Sequence, residues 1–500
     1  MKKFLLASAS AAALFATPAF AQDNTSTVSQ SGVSQSAEVN QTGTNDVSSI
    51  DQQNGHNKAK VNQNGVIGGQ STISQTGTGN TATVATQQDD GSGYPGGPSA
   101  LGGSYPAATK PISVSSIVQG GNANTATVTQ KTATSAVQNN SAINQGGSGN
   151  GATVKQYDDA QTSAVSQSSD TNTATVTQGR DNSADNSYGN TSSVIQGGTG
   201  LNTANVSQTG IFSTTGVNQS GSNGTATVTQ HDSTLNASSY VGQGGDGDHA
   251  TVDQSDLSQS STISQVGTSD VAQVTQTVAS NTSSIGQSGP SDYAVVAQNG
   301  TGNGSNITQS SHAGGYASGG AFPSDTGYAY VQQVGDANAS TISQSGGSNW
   351  AVLNQTASNN TSAINQTGNG TYANVSQSKD HNASSVLQTG TATNLNLAVG
   401  IRQSGMNNVS NVTQSGTGTV LNSFQNTVDV EQSGNLNNSN VDQSGTDNET
   451  RILESGSNNV SAVSQGGSDN HAFVTQTSNG NYSSVTQGGS NSTATVHQES

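Results

Sequence analysis

The side chains that most often carry out catalysis or bind metals are few in this sequence and do not cluster. The acidic turn Gly244–Asp248 has the composition of a calcium-binding turn, but it occurs once, and we expect it to be solvated. Runs of the form Gly-x-Gly do not join a strand to a helix, so they predict no phosphate loop. The histidines lack the spacing of a metal site and lie far apart, at His56, His231, His249, His312, His381, His471 and His497. We therefore expect a protein that is not an enzyme and has no cofactor and no bound metal.

The side chains that recur with a fixed spacing are amides, which donate and accept hydrogen bonds at the same time. Glutamines return every eleven residues, for example from Gln254 to Gln309 and again from Gln333 to Gln388. Disordered low-complexity sequence does not hold such a register. The spacing therefore indicates a repeat architecture.

The repeated unit is best seen in the heptad Asn124–Gln130, in which apolar or amide residues alternate with threonines. With the period of two that is typical of a strand, one face is a thin core and the other a hydroxyl surface. A second type of unit, as in Asn281–Gln287, has Ser in place of Ala at the third position. The two types alternate, so the full period is twenty-two residues, and Gly with Ser, Asn or Asp after each glutamine predicts tight turns of positive φ.

No unit of eleven residues can fold alone. Burial of one Val or Ile contributes about 1.5–3 kcal/mol, whereas ordering each residue costs about 1–2 kcal/mol. Buried amides are satisfied only when they stack on identical neighbours, so the pattern predicts an all-β solenoid of strand–turn–strand rungs with two facing parallel sheets. At roughly 4.8 Å per rung the rod would be roughly 90 Å long, with an open strand edge at each end. We expect these residues to form the core ladder and to support self-assembly: Asn124, Ala126, Val128, Gln130, Gln145, Asn150, Ala152, Val154, Gln156, Gln167, Gln178, Asn281, Ser283, Ile285, Gln287, Gln366, Gln377, Gln476, Gln487 and Gln498.

Charged residues test the phase of this pattern, because a charge should not face the core. Lys155, Asp253 and Arg402 fall on the threonine side, as do most other charges in the repeats. Glu454 is the exception that we identify, since it replaces a ladder glutamine. We expect the rung to be partly open there. Trp350 alternates outward and is a candidate adhesive side chain.

Composition and the N-terminus favour an exported structural protein. The chain of 500 residues has 28% apolar and 8% charged residues, 62 glycines, no cysteine and a net charge of −18. The apolar content is too low for globular cores in a chain of this size. The negative net charge argues against nucleic acid or anionic membranes as partners. Residues 1–21 read as a bacterial secretory signal peptide that ends in Ala-Phe-Ala. Residues 22–498 are then the repeat region, interrupted by loop insertions at 88–112 and 310–327.

One segment, Gln145–Gln156, resembles the curlin repeat, whose pattern is Ser-x5-Gln-x-Gly-x-Gly-Asn-x-Ala-x3-Gln; Gln75–Ala82 matches its first half and Gln487–Asn491 a shortened form. The resemblance extends over about Thr27 to Gln498. It implies an extracellular functional amyloid subunit of curli-type fimbriae, used in biofilm and cell adhesion by Gram-negative bacteria. It also implies a fibre of identical copies as the main partner, with an outer-membrane secretion pore and a nucleator as further partners, and no small-molecule substrate.

Other functions fit parts of the pattern. Threonines such as Thr125, Thr127 and Thr129 would stack into a flat array, which an ice-binding solenoid also has, although Lys155 and Asp253 interrupt it. A surface adhesin that does not polymerise is a further alternative. A polysaccharide-processing β-helix enzyme would need clustered acids or bases on one face, and the sequence has none.

Overall fold

The chain is an all-β solenoid of about 18 rungs in a computed structural model that describes residues 23–65, 68–88, 113–132, 138–180, 187–231, 235–310, 327–392, 397–418 and 426–499. Each rung is one strand of sheet 1, a turn, one strand of sheet 2 and a second turn. The fold predicted from the eleven-residue spacing is confirmed. In the described residues no helix is long and apolar enough to cross a membrane.

Sheet 1 is a parallel sheet of 20 strands. Its strands are β1 (Thr25–Val33), β3 (Val47–Gly55), β5 (Gln70–Gln75), β7 (Val114–Gln119), β9 (Asn140–Gln145), β11 (Thr162–Gln167), β13 (Thr191–Gln196), β15 (Thr214–Gln219), β17 (Ser238–Gln243), β19 (Ser260–Gln265), β21 (Thr282–Gln287), β23 (Gly304–Ser310), β25 (Ala339–Ser345), β27 (Thr361–Gln366), β29 (Ala383–Gln388), β30 (Thr391–Ala392), β32 (Val409–Gly418), β34 (Asn438–Gly445), β36 (Val460–Gln465) and β38 (Tyr482–Gln487).

Sheet 2 faces sheet 1 and is also parallel throughout. Its strands are β2 (Ser36–Gln41), β4 (Lys58–Asn64), β6 (Thr81–Gln88), β8 (Thr125–Thr132), β10 (Gly151–Tyr157), β12 (Thr173–Gln178), β14 (Thr203–Gln208), β16 (Thr225–Gln230), β18 (His249–Gln254), β20 (Val271–Gln276), β22 (Tyr293–Gln298), β24 (Tyr328–Gln333), β26 (Trp350–Gln355), β28 (Thr371–Gln377), β31 (Leu397–Gln403), β33 (Thr427–Gln432), β35 (Glu449–Glu454), β37 (His471–Gln476) and β39 (Thr493–Gln498).

The register of both sheets stacks equivalent residues. In β8, β10 and β12, for example, the vertically aligned sets are Ala126, Ala152 and Ala174, then Val128, Val154 and Val176, then Gln130, Gln156 and Gln178. The Ala type of unit forms sheet 2 and the Ser type forms sheet 1. A shift of one residue would turn every core side chain to solvent, so the alternation of side chains fixes this register.

The predicted signal peptide and most of the two predicted insertions lie outside the described residues. The positions concerned are 1–21, 89–112 of the first insertion and 311–326 of the second. The ladder is nevertheless continuous on either side of both insertions. The Gln75 amide donates to Gln119 over 2.7 Å, and the Gln309 amide donates to Gln344 over 2.8 Å.

The turns use glycine differently from the sequence prediction. The second residue after a ladder glutamine, such as Gly147, needs to lack a side chain because a Cβ there would lie 2.1 Å from the carbonyl oxygen of Ser169 in the next rung. The left-handed conformation occurs mainly at the residue before the ladder asparagine, for example Ala123 with φ of 54° and Gly149 with φ of 68°, although some glycines at the second position, such as Gly346 with φ of 98°, also adopt it. Glycine thus allows the turns to stack closely, while mostly non-glycine residues carry the positive φ.

Candidate self-assembly site

The glutamines form two hydrogen-bonded ladders inside the solenoid, one in each sheet. In sheet 2 the Nε2 of Gln130 donates to the Oε1 of Gln156 over 2.9 Å, and Gln156 donates in the same way to Gln178 over 3.0 Å. In sheet 1 Gln145 donates to Gln167 over 2.8 Å. Each amide also donates across the core, as Gln156 does to the Asn140 carbonyl of the facing sheet over 2.9 Å. The ladders therefore join rungs vertically and the two sheets laterally.

A second ladder, of asparagines, lies at the entry to each strand. The backbone N–H of Asn150 donates to the Oδ1 of Asn124 over 2.8 Å, and that of Asn172 donates to the Oδ1 of Asn150 over 2.8 Å. The Nδ2 of Asn124 donates to the Gly147 carbonyl of the next rung over 2.7 Å. The asparagine side chain thus bonds a backbone N–H and a turn carbonyl that the strands leave without a partner. Both bonds join neighbouring rungs, so they form only when the rungs are in register.

The structure places the sequence-predicted ladder residues inside the solenoid, apart from those at the C-terminal end. Val128, Val154 and Gln366 are 0% exposed, and Ile285 is 1% exposed. Gln487 keeps 8% exposure in the last rung of sheet 1, and Gln498 is half-buried in the last strand. Whether these residues carry self-assembly remains a prediction.

One rung interrupts the glutamine ladder of sheet 2. Thr86 stands between Gln63 and Gln130 in register and is too short to bridge them. The Thr86 hydroxyl and the Oε1 of Gln130 are both buried without a hydrogen-bond partner. Leaving a buried polar atom unpaired costs about 1–3 kcal/mol.

Thr86→Gln is therefore expected to stabilise the solenoid by about 1–2 kcal/mol, because the new amide accepts from Gln63 and donates to Gln130. The measurement is the urea midpoint of the purified chain. Thr83→Gln on the outer face of the same strand is the matched control and should leave the midpoint almost unchanged. A midpoint for Thr86→Gln at or below that of the parent chain would contradict the ladder's energetic role.

The prediction that the rung at Glu454 is partly open is wrong. Glu454 is 0% exposed and takes the ladder position between Gln432 and Gln476. Its carboxyl accepts hydrogen bonds from Gln432 at 2.9 Å, from Ser439 at 3.0 Å and from Ser461 at 2.7 Å. Burial raises the pKa of Glu454. The hydrogen bonds from Ser461, Gln432 and Ser439 lower the pKa of Glu454 and so oppose part of the effect of burial.

A second correction concerns the asparagine ladder, where sequence reasoning missed a column of buried acids. We define the aspartate column as Asp248, Asp270 and Asp292, which occupy the asparagine position of three successive rungs of sheet 2 and are all 0% exposed. The prediction that the turn Gly244–Asp248 is solvated is therefore wrong for Asp248. Steps of twenty-two residues forward from Asp248 reach Asp270 and Asp292, so the column is visible in the sequence once Asp248 is given the ladder position.

Within the aspartate column, carboxylates take over the acceptor role of asparagine. The N–H of Asp270 donates to the Oδ1 of Asp248 over 3.1 Å, and that of Asp292 donates to the Oδ1 of Asp270 over 2.9 Å. The Oδ2 of Asp270 is buried without a hydrogen-bond partner. Burial is the largest cause that raises the pKa of Asp270 to about 7, and the pKa of Asp248 is raised for the same reason.

Trp350 lies on the outer face of sheet 2, as predicted, but it is half-buried in an aromatic stack. Its ring centroid is 4.2 Å from that of Tyr328, which in turn stacks on Tyr293 at 5.4 Å with an interplanar angle of 3°. Tyr372 follows in register. The rings therefore cover one another along the rod axis, and their edges point outward.

The two ends of the solenoid present unpaired strand edges in the described part of the chain. At the N-terminal end β1 pairs with β3 and β2 pairs with β4, each on one side only. At the C-terminal end the same holds for β38 with β36 and β39 with β37. All nine residues of β1 are exposed, including Val28 at 43%. These edges are the surfaces at which another copy can add a rung.

Comparison with known proteins gives one family match and no relative among curated proteins. The family model of the curlin associated repeat matches residues 335–368. This segment contains β25, β26 and β27, together with the ladder residues Gln344, Gln355 and Gln366. Its strands stack in register on the rungs before and after it. Residues 335–368 are therefore similar to the curlin associated repeat, and the β-solenoid fold of the chain is consistent with that similarity.

Proposed function

We propose that the chain is a curlin-like functional amyloid subunit, an extracellular structural protein that self-assembles by its strand edges into fibres. The observation that carries this proposal is the direction of the amide ladders. Gln30 donates to Gln52 over 2.7 Å at one end, and Gln476 donates to Gln498 over 2.7 Å at the other. Among the described residues, each glutamine-to-glutamine bond points from the N-terminal to the C-terminal end, and the backbone N–H donors of the asparagine ladder all point the opposite way, so each copy is polar.

This polarity makes the two ends complementary. At the N-terminal end the Oε1 atoms of Gln30 and Gln41 face the next copy, and at the C-terminal end the Nε2 atoms of Gln487 and Gln498 do so. Head-to-tail addition continues both ladders and both sheets with one register, as within the chain. A head-to-head contact would instead oppose acceptor to acceptor. The fibre is therefore expected to be polar, with all copies in one orientation.

Blocking one edge tests this assembly. In a parallel ladder, the N–H groups of alternate residues point to opposite neighbours. His471 donates to Ser492 of the next rung and Val460 donates to Asn481, so the equivalent N–H groups of the last rung, including those of Ser484 and Thr495, point to the open edge. Proline at these positions removes an edge donor without breaking a bond inside the chain.

The double variant Ser484→Pro, Thr495→Pro, which we name the end-capped chain, is expected to elongate seeded fibres at least tenfold more slowly than the parent mature chain. The measurement is dye fluorescence after seeding, with electron microscopy of the products. Ser484→Ala, Thr495→Val is the matched control and should elongate normally. Elongation of the end-capped chain at the parent rate would overturn edge addition, and a parent chain that stays monomeric would favour a non-polymerising surface adhesin.

We also infer export and a role in adhesive biofilm fibres. The signal-like residues 1–21, the absence of cysteine and the curlin-associated repeat support this inference. The resemblance alone implies assistance by an outer-membrane pore and a nucleator. Detection of the protein on intact cells by an antibody, with loss of surface labelling after deletion of residues 2–21, tests the export step.

A second candidate function rests on the threonine columns of sheet 2. Thr125 and Thr127 of β8 align with Thr81 and Thr83 of β6, and threonines recur in β12 and β16. The resulting flat array is one that could order water, and an ice-binding solenoid would show thermal hysteresis. Absence of thermal hysteresis at millimolar concentration removes this alternative.

A further inference from the structure

The outer faces of the two sheets differ in charge. In the described strands of sheet 1, the outward positions hold no Asp, Glu, Lys or Arg other than Asp51 and Asp442. The outward positions of sheet 2 hold Glu38, Lys58, Lys60, Lys131, Lys155, Asp253, Arg402, Asp429, Glu431, Glu449 and Arg451. The two sheets have the same repeat and nearly the same number of strands, so the difference in charge does not come from a difference in size. It is a difference between the two outer faces.

We name the outward side chains of the sheet 1 strands from β5 to β32 the neutral face. Along these strands the described outward positions carry no ionisable acid or base and consist mainly of Ser, Thr, Ala, Gly and Asn. Large apolar side chains are exposed on it as well, with Val118 at 42%, Ile195 at 48% and Tyr240 at 45%. Small, uncharged side chains on a flat sheet are the composition that packs into a dry interface between paired sheets.

We propose that the neutral face is a lateral interface with the neutral face of a second copy of this chain, so that solenoids pair side by side. A chain with a net charge of −18 repels its copies unless its charges are kept away from the contact. In the described strands, the outward charges lie on the opposite sheet, apart from Asp51 and Asp442, which are on sheet 1 beyond the two ends of the neutral face. The contact therefore joins the one pair of surfaces on which like-charge repulsion is smallest.

The size of the face is sufficient for a stable pair. Without the two-residue β30, the neutral face has fourteen strands, which at roughly 4.8 Å each give a length of about 67 Å, and a strand of six residues spans about 20 Å. Each copy would then contribute about 1,300 Å², or about 2,700 Å² in all. Specific interfaces commonly bury about 1,200–2,000 Å², so full contact exceeds what a stable dimer needs.

Pairing through this face is separate from end-to-end growth, because the strand edges and the sheet face point in perpendicular directions. It can therefore be tested in the end-capped chain, where elongation is blocked, by analytical ultracentrifugation. The lateral proposal predicts a dimer in that background. A monomer at tens of micromolar would overturn lateral pairing, whereas failure of fibre growth in the parent chain would overturn the proposed function and leave the dimer intact.

Charge substitutions test whether the neutral face is the surface through which the two copies pair. The triple variant Thr262→Lys, Asn306→Lys, Ala363→Lys places one charge on every second rung in the central outward column of the neutral face. The matched control, Thr127→Lys, Thr175→Lys, Thr227→Lys, makes the same change in net charge in the central outward column of sheet 2. We expect the first variant to weaken dimerisation at least tenfold and the control to leave it unchanged. An equal loss in both variants, or in neither, would overturn the assignment.

A charge-swap experiment excludes misfolding as the cause. The variant Thr262→Glu, Asn306→Glu, Ala363→Glu should also be monomeric alone. Mixing it with the lysine variant should restore a mixed dimer, because the central columns then oppose each other with opposite charge. A mixture that remains monomeric would overturn face-to-face pairing.

Discussion

Gln178→Leu is expected to lower the free energy of unfolding of the surrounding rungs by about 3–6 kcal/mol, although leucine is the more hydrophobic residue. Gln178 accepts from Gln156 over 3.0 Å and donates to Gln208 over 2.9 Å, to Thr162 over 2.9 Å and to Asn190 over 3.0 Å. Leucine leaves the buried Oε1 of Gln208 without its donor and removes the acceptor that the Gln156 amide uses. It also removes one donor from the Thr162 and Asn190 carbonyls, although Asn190 keeps the backbone N–H of Thr162. Each lost ladder bond costs about 1–3 kcal/mol, part of which the burial of leucine offsets.

The measurement is urea unfolding of the end-capped chain with and without the substitution. Thr177→Leu, one residue earlier and on the outer face, is the matched control and should change stability by less than about 0.5 kcal/mol. Because each rung contacts only its neighbours, hydrogen exchange should accelerate first around β10, β12 and β14. If Gln178→Leu were as stable as the control, the amide ladder would be a consequence of the fold and not a cause of it.

The repeat, and which face of each strand is buried, could be predicted from the sequence. Strict two-residue alternation puts the apolar and amide residues on one face only, so only that face can be the core. Asn124, Val128 and Gln130 are 0% exposed for that reason. The pairing of the Ala type with sheet 2 and the Ser type with sheet 1 follows from the same period. These features depend on side-chain type at fixed spacing, which the sequence displays directly.

Features that depend on contacts between rungs were not predicted. The close approach of Gly147 to the next turn, the buried aspartate column and the sealed environment of Glu454 all require knowledge of which turn lies on which. Sequence alone treated an acid as a surface residue. In the structure, Glu454 and the aspartate column occupy ladder positions that amides occupy elsewhere. A carboxylic acid that keeps its proton has both a donor and an acceptor, as an amide does.

Sequence alternation also predicted that the charged side chains face outward, but it did not predict on which of the two outer faces they lie. Alternation says only that a residue such as Lys155 faces away from the core. The difference between the faces becomes visible when strands are sorted by sheet, because alternate units of the repeat then fall together. The twenty-two-residue period, and not the eleven-residue one, therefore holds the information about lateral contacts.

The second large effect is a loss of stability with rising pH that arises from Asp270. Burial raises the pKa of Asp270 from 3.8 to about 7 in the fold, so the folded state binds a proton more tightly than the unfolded chain. Stability is then highest below the unfolded pKa, falls as the pH rises toward 7, and levels off above it. At about 1.4 kcal/mol per pKa unit the whole window corresponds to about 4 kcal/mol.

The chain is least soluble near its isoelectric point of about 4.3, so stability is best measured at higher pH. About half of the expected stability change still falls in that range. Between pH 5.5 and pH 8 the free energy of unfolding of the end-capped chain should fall by about 2 kcal/mol from Asp270 alone. Asp270→Asn should remove this fall, because the amide keeps the Oδ1 that accepts from Asp292 and supplies a donor in place of the unpartnered Oδ2. The gain for this variant is therefore expected at pH 8 and should be small at pH 5.5.

The matched control is Asp442→Asn, which removes an exposed carboxylate from the outer face of sheet 1 and should leave the slope of stability against pH unchanged. The neighbouring acids Asp248 and Asp292 raise the pKa of Asp270 further by like-charge repulsion. Asp248→Asn should therefore reduce the slope without abolishing it. If Asp270→Asn were no more stable than the parent at pH 8, the buried carboxyl would have to be ionised at little cost, and the argument that the ladder selects for neutral groups would fail.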